Sequence, residues 1–383
     1  MDYKEKYSEK DQDRDREKDQ TRSRKKIRLG ITLGDIGGIG PELVIRAFQE
    51  PSLRELFTPV VYGSSRVLNF YRKALSVEKF SYTPIQLPSQ AQFKKVNLIE
   101  TTTKIDHIEV GMATEIGGQA ALDSLDLAIE HINKGELDAL VTLPLDKSTV
   151  AHFRPDFIGH TDYLANALNA KDYMMFMISD DIKVGLVTGH VPLKDVSAKI
   201  NTAAILAKLR IMNHSLKLDF TLQKPKIAVL GLNPHAGDHG LLGKEEGAVI
   251  VPALQAAEKE GIVALGPYSP DGFFASGAFT RFDGILALYH DQGLIPFKML
   301  AGYSGVNFTA GLPIVRTSPD HGVAYDLAGK NEAVVDSFLN ALYSAEDIFR
   351  NRTDNAVLMK NSLKNKSIKI DLGEEEGVVT MEE

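Results

Sequence analysis

The chain has 383 residues, 43% hydrophobic and 25% charged, a balance that excludes a collagen-like, low-complexity or wholly disordered protein and a length that predicts about two domains. Residues 1–28 hold 11 Lys/Arg and 8 Asp/Glu, so with a chain total of −7 the remainder carries −10, which argues against a broad nucleic-acid surface. Cysteine is absent, which excludes disulfides, thiolate metal ligands and a cysteine nucleophile and leaves His, Asp and Glu to hold any transition metal.

In chain order, the first 26 residues read as a charged, solvated tail with almost nothing apolar to bury. The N-terminus shows no apolar core of a secretory signal, and no stretch approaches the ~18 consecutive apolar residues of a membrane span, so a cytoplasmic, non-membrane location is expected. Short apolar runs bounded by Gly, Pro or Asn then alternate with helical periodicity, the pattern of an α/β fold. The strands expected are Arg28 to Leu33, Pro59 to Tyr62, Ala139 to Leu143, Lys183 to Thr188, Lys226 to Leu232 and Gly284 to Tyr289. Between them, helices are expected over Pro41 to Phe48, Gly118 to Lys134, Ser197 to Leu216, Glu245 to Glu260 and Asn331 to Tyr343. Two α/β domains follow, 27–150 plus 325–364 and 151–324, with an acidic tail over 365–383.

Three apolar runs end in histidine: VGLVTGH at His190, IAVLGLNPH at His235 and GILALYHDQG at His290, which is followed by Asp291. Ligands of open α/β sheets bind beyond the carboxyl ends of the strands, so three imidazoles there form a candidate divalent-metal site. His160 and Thr161, in IGHTDYLA, are candidates for substrate binding, although Thr161 and Asp162 also suit a helix cap. Lys298 in HDQGLIPFK and Arg316 in LPIVRTSPD bracket Asn307 and suit a small substrate that carries phosphate and carboxylate. His239 and His321 rank second, and His107, His131, His152 and His214 read as surface or helix residues. The turn LGDIGGIGPE lacks the dinucleotide-fold glycine spacing, but its Gly34, Asp35, Gly38, Gly40 and Glu42 open a helix and are candidates for cofactor contact, or for a tight structural turn alone.

Taken together, GDIGGIGPE, GHTDYLA, TGHVPL, LNPHAGDHGLLGKEE, YHDQGLIPFK and GVNFTAGLPIVRTSPDHGVAYDLAGK closely resemble the 4-hydroxythreonine-4-phosphate dehydrogenase family of pyridoxal-phosphate biosynthesis, over nearly the whole body of the chain. The resemblance implies an isocitrate/isopropylmalate dehydrogenase-like fold with a cleft between two α/β domains, and a homodimer with its active sites at the subunit interface. It places metal ligands on His190, His235 and His290, and substrate contacts on His160, Thr161, Lys298, Asn307 and Arg316. The implied reaction oxidises 4-phosphohydroxy-L-threonine with NAD, or NADP, and a divalent metal (Zn, Mg, Mn or Co); the resulting β-keto acid loses its carboxylate. Asp271, Asp291 and Lys298 all stand as candidates for the base.

Two segments depart from the family pattern. Ile36 and Gly37 stand where GDPAGIGPE has Pro and Ala, and GPYSPDGFF replaces GPLPADTLF while keeping Asp271. Competing readings are a dehydrogenase of D-threonate or D-erythronate 4-phosphate, a three-histidine metallohydrolase, and a non-catalytic binding protein tethered by its tail.

Overall fold

A computed structural model describes residues 26–361; apart from Lys26, the tail expected over 1–26 lies outside them, as does the acidic end over 365–383. Twelve strands form one sheet: β1 (Arg28–Thr32), β2 (Thr58–Gly63), β3 (Tyr82–Ile85), β4 (Val96–Glu100), β5 (Ala139–Thr142), β6 (Met174–Ile178), β7 (Lys183–Leu186), β8 (Lys226–Leu230), β9 (Val263–Tyr268), β10 (Gly284–Ala287), β11 (Val306–Ala310) and β12 (Val315–Pro319). Their order is β3-β4-β2-β1-β5-β12-β11-β6-β7-β10-β8-β9. Pairing is parallel from β3 to β12 and again from β7 to β9, whereas β11 runs antiparallel to both neighbours and β6 antiparallel to β7. The sheet is therefore continuous across the two expected halves, with β5 of the first beside β12 of the second.

All six expected strands form. β1, β2, β5, β8 and β10 are wholly buried or nearly so, as strands covered by helices on both faces must be. The helices that position the cleft are α1 (Gly40–Ala47), α2 (Glu115–Asn133), α3 (Lys147–Ala151), α4 (His160–Ala167), α5 (Thr202–Leu218), α6 (Val251–Lys259), α7 (His290–Ala301) and α8 (Asp336–Asn361). Pro41 sits in the first turn of α1, where its missing N–H leaves no bond unmade.

Three helices differ from expectation. The helix expected over Ser197 to Leu216 is two, Leu193–Lys199 and α5, because the Asn201 side chain accepts from the Ala204 amide at 2.9 Å and starts a new helix. The helix expected over Glu245 to Glu260 opens with a π-helical turn, Glu246–Ile250, before α6. The helix expected over Asn331 to Tyr343 begins at Asp336 and extends to Asn361.

Strands β6, β11 and β12, absent from the sequence expectation, make the seam of the sheet, and register explains its chemistry. Arg316 pairs with Leu140, two residues before Thr142 and so on the same face of the pleat, while Asn307 pairs with Ser318 and with Met177, and Thr309 with Met175. Because side chains alternate between faces with period two, Thr142, Met175, Met177, Asn307, Thr309, Arg316 and Ser318 share one face. Val306, Phe308 and Val315 are buried on the other. A polar face in the middle of a twelve-stranded sheet is tolerable only where it lines a cavity.

Candidate functional site

A cleft of about 840 Å³ lies over that face. Its walls carry His160, Thr161, His190, His290, Lys298, Asn307 and Arg316, so seven residues singled out from four separate segments of sequence come together.

Arg316 is the central charge. It is 2% exposed, and among the described residues its guanidinium bonds only to hydroxyls: Nη2 and Nε donate to Thr142 Oγ1 at 2.6 and 3.1 Å, and Nη1 donates to Thr309 Oγ1 at 3.2 Å. No carboxylate pairs with it among the described residues, and burial pushes its pKa down to about 9. Three of the five guanidinium hydrogens are used, which leaves two for a ligand. Such a cation is poised for an anion brought from outside.

His160 opens α4, and Thr161 Oγ1 lies 3.5 Å from Thr309 Oγ1, which ties the start of that helix to the Arg316 hydroxyl cluster. Burial, with the charges of Arg316 and Lys147 adding to it, holds the His160 imidazole well below the usual histidine range. His190 is also lowered, first by burial and then by Lys147 and His290. Both rings are therefore neutral near pH 7 and present lone pairs.

The turns after β7 and β10 place the His190 and His290 rings 5.6 Å apart. Asp291 Oδ1 accepts from His290 Nδ1 at 2.6 Å, which fixes the tautomer and leaves the Nε2 lone pair to face a metal or a hydrogen-bond donor. Gln292, buried, locks this turn: its Oε1 accepts from the Leu288 amide at 2.7 Å and its Nε2 donates to the Gly231 carbonyl at 2.6 Å.

His235 does not line the cleft. Its strand, β8, adjoins β10, but residues 235–239 all have positive φ, between 41° and 83°, a left-handed turn that carries the imidazole elsewhere. Glu246, 5% exposed, holds the turn by accepting from the Leu232 and Asn233 amides at 2.8 and 2.7 Å. Asp271 is exposed, outside the cleft, and within electrostatic reach of His235; its carboxyl is held below the ordinary range chiefly by the Ser269 hydroxyl. Among the described residues, no group of three or more His, Asp or Glu side chains is placed to hold a metal ion. One chain thus supplies His190 and His290 as neighbouring imidazole donors but does not assemble the expected set of three.

The glycine-rich turn also departs from the expected cofactor contact. Gly34, Asp35, Gly38, Gly40 and Glu42 are all buried against the chain's own atoms. Asp35 accepts from the Gly37 amide and the Tyr325 hydroxyl, both at 2.8 Å, and Glu42 accepts from the Gly329 amide at 3.0 Å. These residues brace the 323–333 segment against α1.

Sequence reasoning passed over Thr142, Lys147, Asp320 and, as a first-rank candidate, His321. Thr142 ends β5 and Lys147 follows it, so the rule that ligands sit at and beyond strand ends points to both. Asp320 lies 3.3 Å from Lys298 Nζ and orients it, its own amide donating to Ser337 Oγ at 2.9 Å. His321 lines the cleft with a buried, unpartnered Nε2.

His131, read as a surface or helix residue, is 2% exposed inside α2 and lies 2.9 Å from the Tyr62 hydroxyl. Burial lowers His131, His160, His190 and His321 alike. Between those folded values and the unfolded value of about 6.5, the unfolded chain binds more protons, so folding stability falls as pH drops through that window. The raised Asp35, Asp320 and Asp347 act in the opposite sense at lower pH, nearer the carboxylate range. The melting temperature is expected to fall on going from about pH 7.5 to about pH 5.5, with part of that slope removed in His131→Gln; a flat profile by calorimetry would contradict the assignment of neutral buried imidazoles.

The chain matches the family model described as "Pyridoxal phosphate biosynthetic protein PdxA" over residues 55–345. It is 45% identical to a 4-hydroxythreonine-4-phosphate dehydrogenase of Bacteroides thetaiotaomicron, over 88% of this chain and 93% of that one, and 42% identical to one of Aquifex aeolicus, over 84% and 98%. It is also 37% identical to a protein of Oceanobacillus iheyensis named for D-threonate 4-phosphate dehydrogenase, over 84% and 97%. The crystal structure of the 4-hydroxythreonine-4-phosphate dehydrogenase of Klebsiella pneumoniae superposes with a TM-score of 0.75 at 31% identity, covering 84% of this chain and 99% of that one. The fold is thus the α/β, isocitrate/isopropylmalate dehydrogenase-like fold of those enzymes. The chain belongs to the PdxA family of dehydrogenases.

Proposed function

We propose that this enzyme oxidises 4-phosphohydroxy-L-threonine at its secondary alcohol with NAD, in a divalent-metal-dependent reaction, and that the β-keto acid so formed decarboxylates to 3-amino-2-oxopropyl phosphate. The observation that carries this reading is the buried Arg316 guanidinium, paired among the described residues only with hydroxyls and lining a cleft sized for a small phosphorylated acid. A bound nicotinamide would supply the acceptor for the C3 hydrogen as hydride, and the hydroxyl proton would go to a base of this chain. Cleavage of the bond to the carboxylate then releases carbon dioxide, and the carbanion takes up a proton. Of the three base candidates, Lys298 alone lines the cleft, so we assign the proton transfers to it; Asp291 orients His290, and Asp271 stands with His235.

A bound divalent ion would supply Lewis acidity toward the alcohol oxygen. His190 and His290, their rings 5.6 Å apart, would hold it in one chain, and a second copy in a homodimer would complete the site. Exposed apolar side chains fit such an interface: Ile295, Met299, Leu300 and Tyr303 on and just after α7, with Leu241 and Leu242 in the loop that follows the His235 turn. On this reading the cleft separates 27–150 plus 325–364 from 151–324, and the enzyme works in the cytoplasm.

The Oceanobacillus relative favours a second reading, oxidation of D-threonate 4-phosphate. Reduction of NAD and of NADP, followed on 4-phosphohydroxy-L-threonine and on D-threonate and D-erythronate 4-phosphates with and without chelator, separates the two. The expected result is chelator-sensitive turnover of the amino acid, restored by added divalent cation. Turnover of the non-amino acids alone would move the assignment to the second reading, and phosphate release without dinucleotide reduction would indicate a hydrolase.

A further inference from the structure

The cleft holds a cation that none of the expected roles uses. Lys147 opens α3 just beyond the carboxyl end of β5, and its position is fixed from three sides. Asp146 Oδ1 caps the helix by accepting from the Ser148 amide at 2.7 Å. Gly118 of α2 lets Thr149 approach so closely that a Cβ there would lie 2.6 Å from the Thr149 carbonyl carbon. The Pro144 carbonyl accepts from the Asp35 amide at 2.9 Å, which anchors the segment leading into α3.

From that base the side chain lies along Gly159, its Nζ 3.5 Å from where a Cβ of that residue would stand. The ammonium is therefore beside the start of α4, whose N-terminal backbone amides already carry partial positive charge. Its charge is felt by both His160 and His190. Lys171 also lines the cleft but is not among the charges that act on either ring.

This arrangement is unfavourable by itself. A lysine, a buried arginine and the positive end of a helix converge, and no carboxylate among the described residues pairs with either cation. Of the three acids on the cleft wall, Asp320 is engaged with Lys298, Asp162 with the Tyr173 hydroxyl at 2.7 Å, and Asp172 acts on Lys208. Lys208, a further cation on the wall, is spent on the Tyr173 carbonyl at 2.7 Å. A doubly charged monoester phosphate, with three acceptor oxygens, matches the uncompensated positive set of Lys147, Arg316 and the α4 amides.

We propose that Lys147 is a substrate-binding residue that, with Arg316 and the N-terminus of α4, holds the phosphate of the substrate. The phosphate end then lies at the β5 side of the cleft and the reacting carbon toward His190 and His290. This rests on the reading of the enzyme as one that acts on a phosphorylated hydroxy acid.

The test compares Lys147→Gln and Lys147→Arg with the wild-type enzyme in two measurements: steady-state kinetics on the substrate that the wild type turns over, and the shift in melting temperature caused by inorganic phosphate alone. The expected result for Lys147→Gln is a KM raised about 10–100-fold with kcat within about threefold, loss of the phosphate-induced stabilisation, and an unchanged melting temperature without phosphate, since the side chain is exposed. Lys147→Arg is expected to retain part of both. An unchanged KM and phosphate shift, or a fall in kcat with KM unchanged, would overturn the proposal. If the wild type turns over no phosphorylated hydroxy acid, the functional reading fails, and the phosphate shift still decides the role of Lys147.

Discussion

Arg316→Met is expected to remove nearly all turnover and, at the same time, to raise the melting temperature. The two effects have separate causes. In the folded enzyme the guanidinium is almost fully buried, hydrogen-bonded only to Thr142 and Thr309, and strongly perturbed by desolvation. Taking a charge out of water without a counter-charge opposes folding, and a well-packed apolar side chain in its place stabilises by roughly 1–3 kcal/mol even after the two threonine hydroxyls lose a partner. The ligand anion meanwhile loses two charge-assisted hydrogen bonds, each worth about 1.5–3 kcal/mol, so kcat/KM should fall by roughly 10²-fold or more. Arg316→Lys keeps the charge without the planar fork and should fall between. Kinetics and a thermal melt on the same samples decide the matter. If activity and melting temperature fall together, Arg316 is a structural residue of the β5–β12–β11 seam and the anion site lies elsewhere.

How far the sequence foretold this site differs from residue to residue. His190 and His290 were legible because each closes an apolar run, and β7 and β10 are neighbours in the sheet. The same argument does not bring His235 into this chain's cleft, since strand order is only part of a side chain's position: five consecutive left-handed residues follow β8, and nothing in the composition of PHAGDHG announces such a run. Arg316 and Asn307 were found as polar residues in a promising segment, yet β11 and β12 were not foreseen. Their pleats alternate polar and apolar positions because one face lines the cleft, so the continuous apolar run that marks a strand covered on both faces is missing. Lys147 was overlooked for a different reason. The strand expected at Ala139 to Leu143 forms, but it ends in no histidine, and a lysine five residues beyond β5 carries no signal of its own without the helix cap at Asp146 that places it.

The glycine-rich turn gives the second large effect, because its backbone packs directly against that of Leu143 and Pro144. Gly34 has φ +66°, and a Cβ there would lie 2.2 Å from the Pro144 carbonyl oxygen and 2.9 Å from the Leu143 carbonyl carbon and oxygen. All three are backbone atoms, so no side chain can rotate away. Gly34→Ala therefore combines about 1–2 kcal/mol for a left-handed L-residue with about 1–3 kcal/mol of overpacking, and a loss of roughly 3 kcal/mol or more is expected. Gly272, with no atom within 4 Å of its missing Cβ, is the control: Gly272→Ala in its helical turn should be neutral or slightly stabilising. The damage at Gly34 should also reach the cleft, since relief of the overlap displaces Pro144 and with it the segment that presents Lys147. Gly34→Ala should thus melt at a clearly lower temperature, and in whatever folds the KM for the phosphorylated substrate should rise more than that for the dinucleotide. Were the variant to keep its melting temperature and lose dinucleotide affinity alone, the turn would be a cofactor cradle after all, and the packing of Gly34 against Leu143 and Pro144 would have to loosen when the cofactor binds.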